Sequence, residues 1–482
     1  MRGATRRGHA ARQALSGAPW LGLVLLAGCA GLPPKPVPAR LSAEVPLSPP
    51  PESSGAGHWP ALRWWAVYED PTLDALIEKA LAGSPTLASA HARYENARQS
   101  VRLASAAAGA HLEANGDASR ERLSDNGLFS PRLLGFDWYN QEDLGLSASY
   151  TFDWWGRQRA AVEAALDEAH AAQAERSAAA LLLASSIADS YFAWQADEAR
   201  IEVARAREQA VGREHAIAVA RVAGELASPE ELERSTGALA AAREQLAELE
   251  GSAALRVVAL AGLVGCSTAE LPDFKVRPLP AVAAALPDDV RIDLIARRAD
   301  ITASRWRVEA AEQDRRSARA DFFPNVSINA LIGVQSIDAA KLLEYSSRVP
   351  SAGVALHLPI FDAGRLKARY GASEAAVDAA VAGYRDTLIT AAREVATEAT
   401  VLNRLGAERA QRLRALEASA ALKASAAARV EQGVVDSRVE LAATESWLGE
   451  RDALLELDAA VLAANIGLTR ALGGGFERST LP

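Results

Sequence analysis

The sequence predicts a mostly α-helical protein that also crosses a membrane with β-strands. Three observations support this fold class: two very long helical segments without proline, four segments that alternate apolar and polar residues, and a tandem repeat that contains both kinds of segment twice. We expect four strands and long coiled-coil helices in each protomer.

Composition narrows the function classes. The 482 residues have a formal net charge of -9 and are 49% hydrophobic. The acidic balance argues against nucleic acid as a partner. Two cysteines exclude both a disulfide-rich scaffold and a cysteine-based zinc site.

The repeat is visible in the spacing of its landmarks. Residues 72–265 and 289–475 show the same order of helix, two strands, long helix and last helix. The pairs Phe152-Asp153 and Phe361-Asp362 are 209 residues apart, as are Gly224 and Gly433. Equal spacing at both landmarks is not expected by chance and indicates a tandem repeat.

The long helices are the clearest element. Residues 157–223 form a 67-residue stretch without proline, and residues 365–432 also lack proline. Both are rich in good helix formers and repeat apolar residues at spacings of three and four. At about 1.5 Å per residue each helix is about 100 Å long. A helical tube or bundle is expected, and an ordinary antiparallel coiled coil is the alternative.

The four alternating segments predict strands at about 111–119, 143–153, 325–335 and 352–361. Apolar residues take the even positions, as in Leu144, Leu146 and Ala148, and polar or small residues take the odd ones. Each segment has about the length of a tilted strand that crosses a bilayer. In isolation, a soluble sheet with one buried face is the alternative.

Four strands cannot close a barrel, because the smallest outer-membrane barrels have about eight. Their open edges must therefore pair with other copies of the chain. Three copies give a 12-stranded barrel, so we expect a homotrimer, with a dimer as the geometric alternative.

The N-terminus has the features of an export signal. Four arginines without an acid precede a short apolar run from Trp20 to Ala27, which is too short to span a membrane. The run ends in Leu26-Ala27-Gly28-Cys29, which is similar to a bacterial lipobox, so we expect residues 1–28 to be a signal peptide and Cys29 to be lipidated. An ordinary cleavage site is the alternative, and Arg6-Arg7 leaves a twin-arginine route open.

Six short motifs are distributed along the chain. They are Trp64-Trp65 with Asp70-Pro71-x-Leu73, Phe152-Asp153-x-x-Gly156-Arg157, Arg298-Ala299-Asp300-Ile301, Phe323-Pro324-Asn325-Val326-Ser327, Leu358-Pro359-Ile360-Phe361-Asp362-x-Gly364-Arg365 and Ala471-Leu472-Gly473-Gly474-Gly475. Together these motifs resemble those of the TolC-like outer-membrane efflux proteins, and within them the NodT-type outer-membrane lipoproteins. The resemblance covers essentially the whole mature chain. Ala299 departs from the family, which usually has proline there.

The resemblance implies a trimeric 12-stranded β-barrel on a long α-helical tunnel. It also implies a domain division. We expect a lipidated proline-rich tether at 29–60, equatorial segments at 61–83 and 266–288, repeats at 84–265 and 289–475, and a tail at 476–482.

The family places the ends of the two long helices at a periplasmic aperture. Here Gly224 and Gly433 end those helices, and glycine suits a helix C-terminus because it tolerates positive φ. Asp436, Arg438 and Glu440 are the candidate aperture residues near the second tip. A solvated helix end is the alternative for each of them.

The implied function is the exit duct of a tripartite efflux pump in the cell outer membrane. The duct would passively conduct small molecules such as drugs, supplied by a periplasmic adaptor and an inner-membrane transporter of the resistance-nodulation-division type. The alternatives are the outer duct of a type I protein secretion system and a non-conducting structural coiled-coil lipoprotein. We find no motif for a catalytic site, a cofactor or a metal, so we do not expect an enzyme.

Overall fold

The computed structural model describes residues 33–41, 57–126, 130–282, 287 and 290–476, with side chains from residue 294 in the last range. The predicted signal peptide, Cys29 and residues 477–482 lie outside the described residues.

The described chain is mostly helical, with four strands. None of the described helices combines the length and the apolar character that a membrane span requires. A 3-10 helix, Trp64–Tyr68, precedes α1 (Pro71–Gly83), α2 (Pro85–Ala107), β1 (His111–Arg122), α3 (Pro131–Leu134), β2 (Trp138–Phe152), α4 (Arg157–Ala223), α5 (Pro229–Val264), α6 (Val290–Arg297), α7 (Ala299–Ala320), β3 (Asn325–Ser336), β4 (Arg348–His357), α8 (Arg365–Glu431) and α9 (Ser437–Ala471).

The chain divides into two compact units. The strand unit comprises residues 1–40, 96–169 and 307–381, and the hairpin unit comprises residues 41–95, 170–306 and 382–482.

The strand unit contains a single antiparallel sheet in the order β1-β2-β3-β4. Odd-numbered residues face odd-numbered residues in all three pairings: His111 lies opposite Ser149, Thr151 opposite Ser327, and Asn325 opposite His357. The side-chain parity predicted for each strand is therefore shared by the whole sheet. Within the described residues, β1 and β4 each pair along one edge only.

Three strands differ from the prediction by three residues or more at an end. The strand predicted at 111–119 continues to Arg122. The strand predicted at 352–361 begins at Arg348 and ends at His357. It ends early because Pro359 has no N–H to donate to a ladder. The strand predicted at 143–153 begins at Trp138. Its extension was not predicted because residues 140–142 (Asn-Gln-Glu) are polar on both faces and interrupt the alternation of apolar and polar residues.

The hairpin unit has an aromatic core. Tyr68 packs against Phe192 with ring centroids 4.9 Å apart, and Trp194 packs against Phe274 at 5.0 Å. Asp70 caps α1 by accepting from the amide of Thr72 at 2.9 Å, and its second oxygen accepts from the hydroxyl of buried Tyr191 at 2.8 Å. The Trp64-Trp65 and Asp70-Pro71 motifs are therefore core and cap residues.

The motif that begins at Arg298 and the motif at residues 471–475 contact each other in the same unit. The buried guanidinium of Arg298 donates to the carbonyl of Ala471 at 2.8 Å and to Glu394 at 2.7 Å, and it also contacts Asp300. Arg298 thus satisfies a carbonyl at the C-terminus of α9. Gly473 follows at φ 94°, and a Cβ there would lie 1.9 Å from the carbonyl oxygen of Arg297. The close approach of the two backbones requires this glycine.

Candidate functional site

The sheet has one face that is acidic and polar. The strand residues with odd numbers share this face, and they include four carboxylates but no lysine or arginine. The four are Glu113, Asp117, Glu121 and Asp143. This face, which we call the acidic face, has a negative potential that attracts cations.

Two of these carboxylates lie directly opposite each other. Asp117 pairs with Asp143 in the β1–β2 register, and Gln141 donates to Asp143 Oδ2 at 3.0 Å. Like charges at opposed positions destabilise a sheet. Asp117, Asp143 and Gln335 also line a cavity of about 280 Å³ on the acidic face. The like charges therefore border an open cavity, where solvent can screen them.

The opposite face is apolar and exposed. We call it the apolar face. Its side chains include Ile332, Val354 and Leu356, which are 65%, 71% and 68% exposed. A sheet with one exposed apolar face and one polar face is typical of a barrel wall between lipid and water.

Matching loops join the sheet to the two long helices. Asp153 accepts from the amides of Gln158 at 3.1 Å and Arg159 at 2.9 Å, which caps α4. Asp362 accepts from the amide of Leu366 at 2.9 Å, which caps α8. The phenylalanine-aspartate motifs therefore begin the long helices, since an aspartate satisfies free amides in the first turn.

The hairpin tips contain an alternating charge network. Asp436 is the N-cap of α9: its Oδ1 accepts from the amide of Arg438 at 2.9 Å and its Oδ2 from Arg438 Nε at 3.0 Å. The amide and then the guanidinium of Arg438 hold the pKa of Asp436 below its usual value. Arg438 Nη1 lies 3.5 Å from Glu231 in the first turn of α5, and Arg221 in the last turn of α4 lies 3.5 Å from the same oxygen.

The network therefore links the two hairpins through Glu231. Of the predicted tip residues, the structure brings Asp436 and Arg438 together. Glu440 forms no ion pair with any residue that the structure describes. Glu231 and Arg221 were not among the residues predicted from the sequence. The available signal was an acid in the first turn after Pro229 and an arginine in the last turn of α4.

The two tips turn in the same way with different residues. Gly433 adopts φ 71°, and the amide of Val434 donates to the carbonyl of Arg429 at 2.9 Å. At the first tip, Glu225 adopts φ 57° and the amide of Leu226 donates to Arg221 O at 2.7 Å. Both are Schellman turns. Our expectation that Gly224 supplies the left-handed residue is wrong, because the turn begins one residue later than the glycine spacing predicts.

A two-faced sheet with open edges, joined by capped loops to long helical hairpins, defines the class of membrane channel subunits. The family model for outer membrane efflux proteins matches residues 76–266 and 291–474. The chain belongs to the outer membrane efflux protein family.

Similar proteins span nearly the whole chain. The multidrug resistance outer membrane protein MdtP of Escherichia coli (strain K12) is 32% identical over 450 residues, which cover 92% of this chain and 91% of MdtP. The multidrug resistance outer membrane protein MdtQ of Escherichia coli O157:H7 is 32% identical over 474 residues, covering 95% and 97%. The crystal structure of the outer membrane protein VceC from Vibrio cholerae superimposes with a TM-score of 0.78 at 32% identity, covering 87% of this chain and 100% of VceC.

Proposed function

We propose that this protein is the outer-membrane exit duct of a tripartite efflux pump and passively conducts small molecules such as drugs. The main support for this proposal is the structure of the sheet. It has an acidic face, an exposed apolar face and two unpaired edges within the described residues. The names of MdtP and MdtQ, which are multidrug resistance proteins, support drugs as cargo.

The functional unit in this proposal is a homotrimer. Three copies pair β4 of one subunit with β1 of the next and make a 12-stranded barrel, which removes every exposed edge. The surface of α2 supports association, because none of its side chains is buried and Leu103 is 74% exposed. Helices from sister subunits would cover such a surface in a helical tunnel.

Besides its strands, the protein is proposed to be attached to the membrane by a lipid on Cys29. Residues 33–39 support this attachment, because they lie along α7 in the strand unit. Arg319 Nε donates to the carbonyl of Pro33 at 3.3 Å, Arg315 Nη2 donates to that of Val37 at 2.9 Å, and Glu312 accepts from the amide of Ala39. Pro33 therefore lies beside the last turn of α7, just before β3 enters the sheet. Four residues span about 13 Å at most, so a lipid on Cys29 would be tethered to Pro33 over no more than that distance.

The proposed partners are a periplasmic adaptor at the hairpin tips and an inner-membrane transporter of the resistance-nodulation-division type. The tip network supports a closed resting aperture, because Glu231 and Arg438 join neighbouring hairpins. Opening by an adaptor must separate or replace these ion pairs. The energy for export comes from the transporter in this scheme.

Single-channel recording in planar bilayers tests the proposal. The purified protein should insert and conduct weakly, and Arg438→Ala should raise the conductance because it removes the ion pair that joins the second hairpin to Glu231. Lys423→Ala, a charge removal farther from the tip, serves as the control and should leave the conductance unchanged. A protein that never conducts, with or without the tip substitution, is a structural lipoprotein and the proposed duct is wrong.

A further inference from the structure

The acidic and basic side chains of β1 lie on opposite faces of the sheet. Its last residues are Arg120, Glu121 and Arg122, so the carboxylate lies on the acidic face and both guanidinium groups lie on the apolar face. Arg348, the first residue of β4, has the same parity, since it pairs with Val334. The apolar face thus carries three arginines, and they lie on the two edge strands.

Exposed aromatic rings accompany these arginines. The guanidinium carbon of Arg120 lies 5.7 Å from the ring centroid of Trp138, which is 53% exposed and is the cross-strand partner of Arg122. The guanidinium carbon of Arg348 lies 4.4 Å from the ring centroid of Tyr345, which is 79% exposed. Among the described residues, no carboxylate forms an ion pair with any of the three arginines. Their charges are therefore available to an external anion.

The position of the cluster along the strands is defined by the sheet. β1 enters from α2 at His111 and β2 leaves towards α4 after Phe152, so Arg120, Arg122 and Trp138 lie at the end of the sheet away from the helices. Apolar rows that include Leu144 and Ile332 lie between this cluster and the helices. Arginine on a lipid-facing surface is costly at the bilayer midplane and nearly free at the interface. The cluster therefore marks the outer headgroup level.

We propose that this arginine–aromatic patch binds the phosphates of a phosphorylated glycolipid in the outer leaflet. The inference rests on the proposed membrane function. Guanidinium groups bind phosphate oxygens in a bidentate manner, and Trp and Tyr rings suit a headgroup interface. Arg120 and Arg122 are about 7 Å apart along one face. The two guanidinium groups are on separate side chains, so each can bind a different phosphate of one headgroup, whereas a phosphodiester lipid offers only one phosphate.

The test is lipid retention by the full-length protein in detergent, measured by native mass spectrometry. The probes are lipid A with two phosphates, the same lipid A after enzymatic dephosphorylation, and phosphatidylglycerol. We expect retention of the bisphosphorylated form alone. Arg120→Gln with Arg122→Gln should weaken its apparent affinity about tenfold, because two charge-assisted contacts are lost. Arg120→Lys with Arg122→Lys should restore part of it.

Lys367→Gln is the matched control, since Lys367 is an exposed cation in the first turn of α8, at the opposite end of the strands. It should leave lipid A retention unchanged. Equal retention of dephosphorylated lipid A, equal retention of phosphatidylglycerol, or an unaffected double variant would each overturn the proposal. If the double variant does not assemble, Arg348→Gln on the other edge is measured in its place. Conductance of the same preparations reports separately on the proposed duct.

Discussion

The backbone of Glu225 lies in the left-handed region at φ 57°, a conformation that glycine adopts without cost. An L-residue with a Cβ is destabilised there by about 1–2 kcal/mol. The equivalent position of the second tip is Gly433, and the glycine beside Glu225, Gly224, does not have positive φ. The first tip therefore carries local strain that the second tip avoids.

Replacing Glu225 by glycine should stabilise the first tip. Removing the Cβ should make local opening about fivefold rarer, which corresponds to about 1 kcal/mol. Hydrogen exchange of residues 220–230 measures this opening. Gly433→Ala should have the opposite effect at the second tip. Unchanged exchange at the first tip after Glu225→Gly would show that the turn is not strained.

Asp167 in α4 is a buried carboxyl near other acids. Burial, followed by the charges of Glu309, Glu163 and Glu168, raises the pKa of Asp167 to about 6. The carboxyl of Asp167 thus binds its proton more tightly in the folded chain than in the unfolded chain, where its pKa has the ordinary value of 3.8. The contribution of this carboxyl to stability is therefore fully present below about pH 4 and is lost as the pH rises through 6.

Asp167→Asn should remove that pH dependence. At pH 7.5 the variant should be more stable than the parent by about 1 kcal/mol after allowance for solvent screening, and the gain should disappear near pH 4. Thermal unfolding in detergent across this range measures it, with the exposed Glu244→Gln as control. A variant that is less stable than the parent at pH 7.5 would contradict the assignment.

At the scale of elements, the strands show what a sequence can and cannot predict. The parity of Leu144, Leu146 and Ile332 predicted the two faces, because the side chains of a strand alternate whatever its partners are. The order β1-β2-β3-β4 was not predictable, since it depends on pairings across more than 170 residues between β2 and β3. The tip network was missed for the same reason: Glu231 and Arg438 meet only after both hairpins are folded.

The two faces of the sheet should have separable roles in conduction. Asp117→Asn with Asp143→Asn should lower the preference for K⁺ over Cl⁻, because it removes two of the four carboxylates from the acidic face. Glu142→Gln is the matched control, since Glu142 is adjacent in sequence but lies on the opposite face. Reversal potentials in a salt gradient measure the preference. If Glu142→Gln has the larger effect, the assignment of faces is inverted.

At the scale of the whole molecule, every functional proposal depends on association. A single sheet has two unpaired edges within the described residues and exposes apolar side chains such as Val354 and Leu356. In water such a surface aggregates, and in lipid the unpaired backbone groups are costly. The proposed closure by sister subunits would pair the backbone groups at both edges and place the apolar side chains in lipid. The capped loops at Asp153 and Asp362 connect β2 and β4 to the two long helices.

Native mass spectrometry of the full-length protein, extracted from membranes in detergent, tests directly whether three copies of the chain associate. We expect the dominant species to contain three copies and to precipitate when detergent is removed. A monomer that remains in solution without detergent would contradict it.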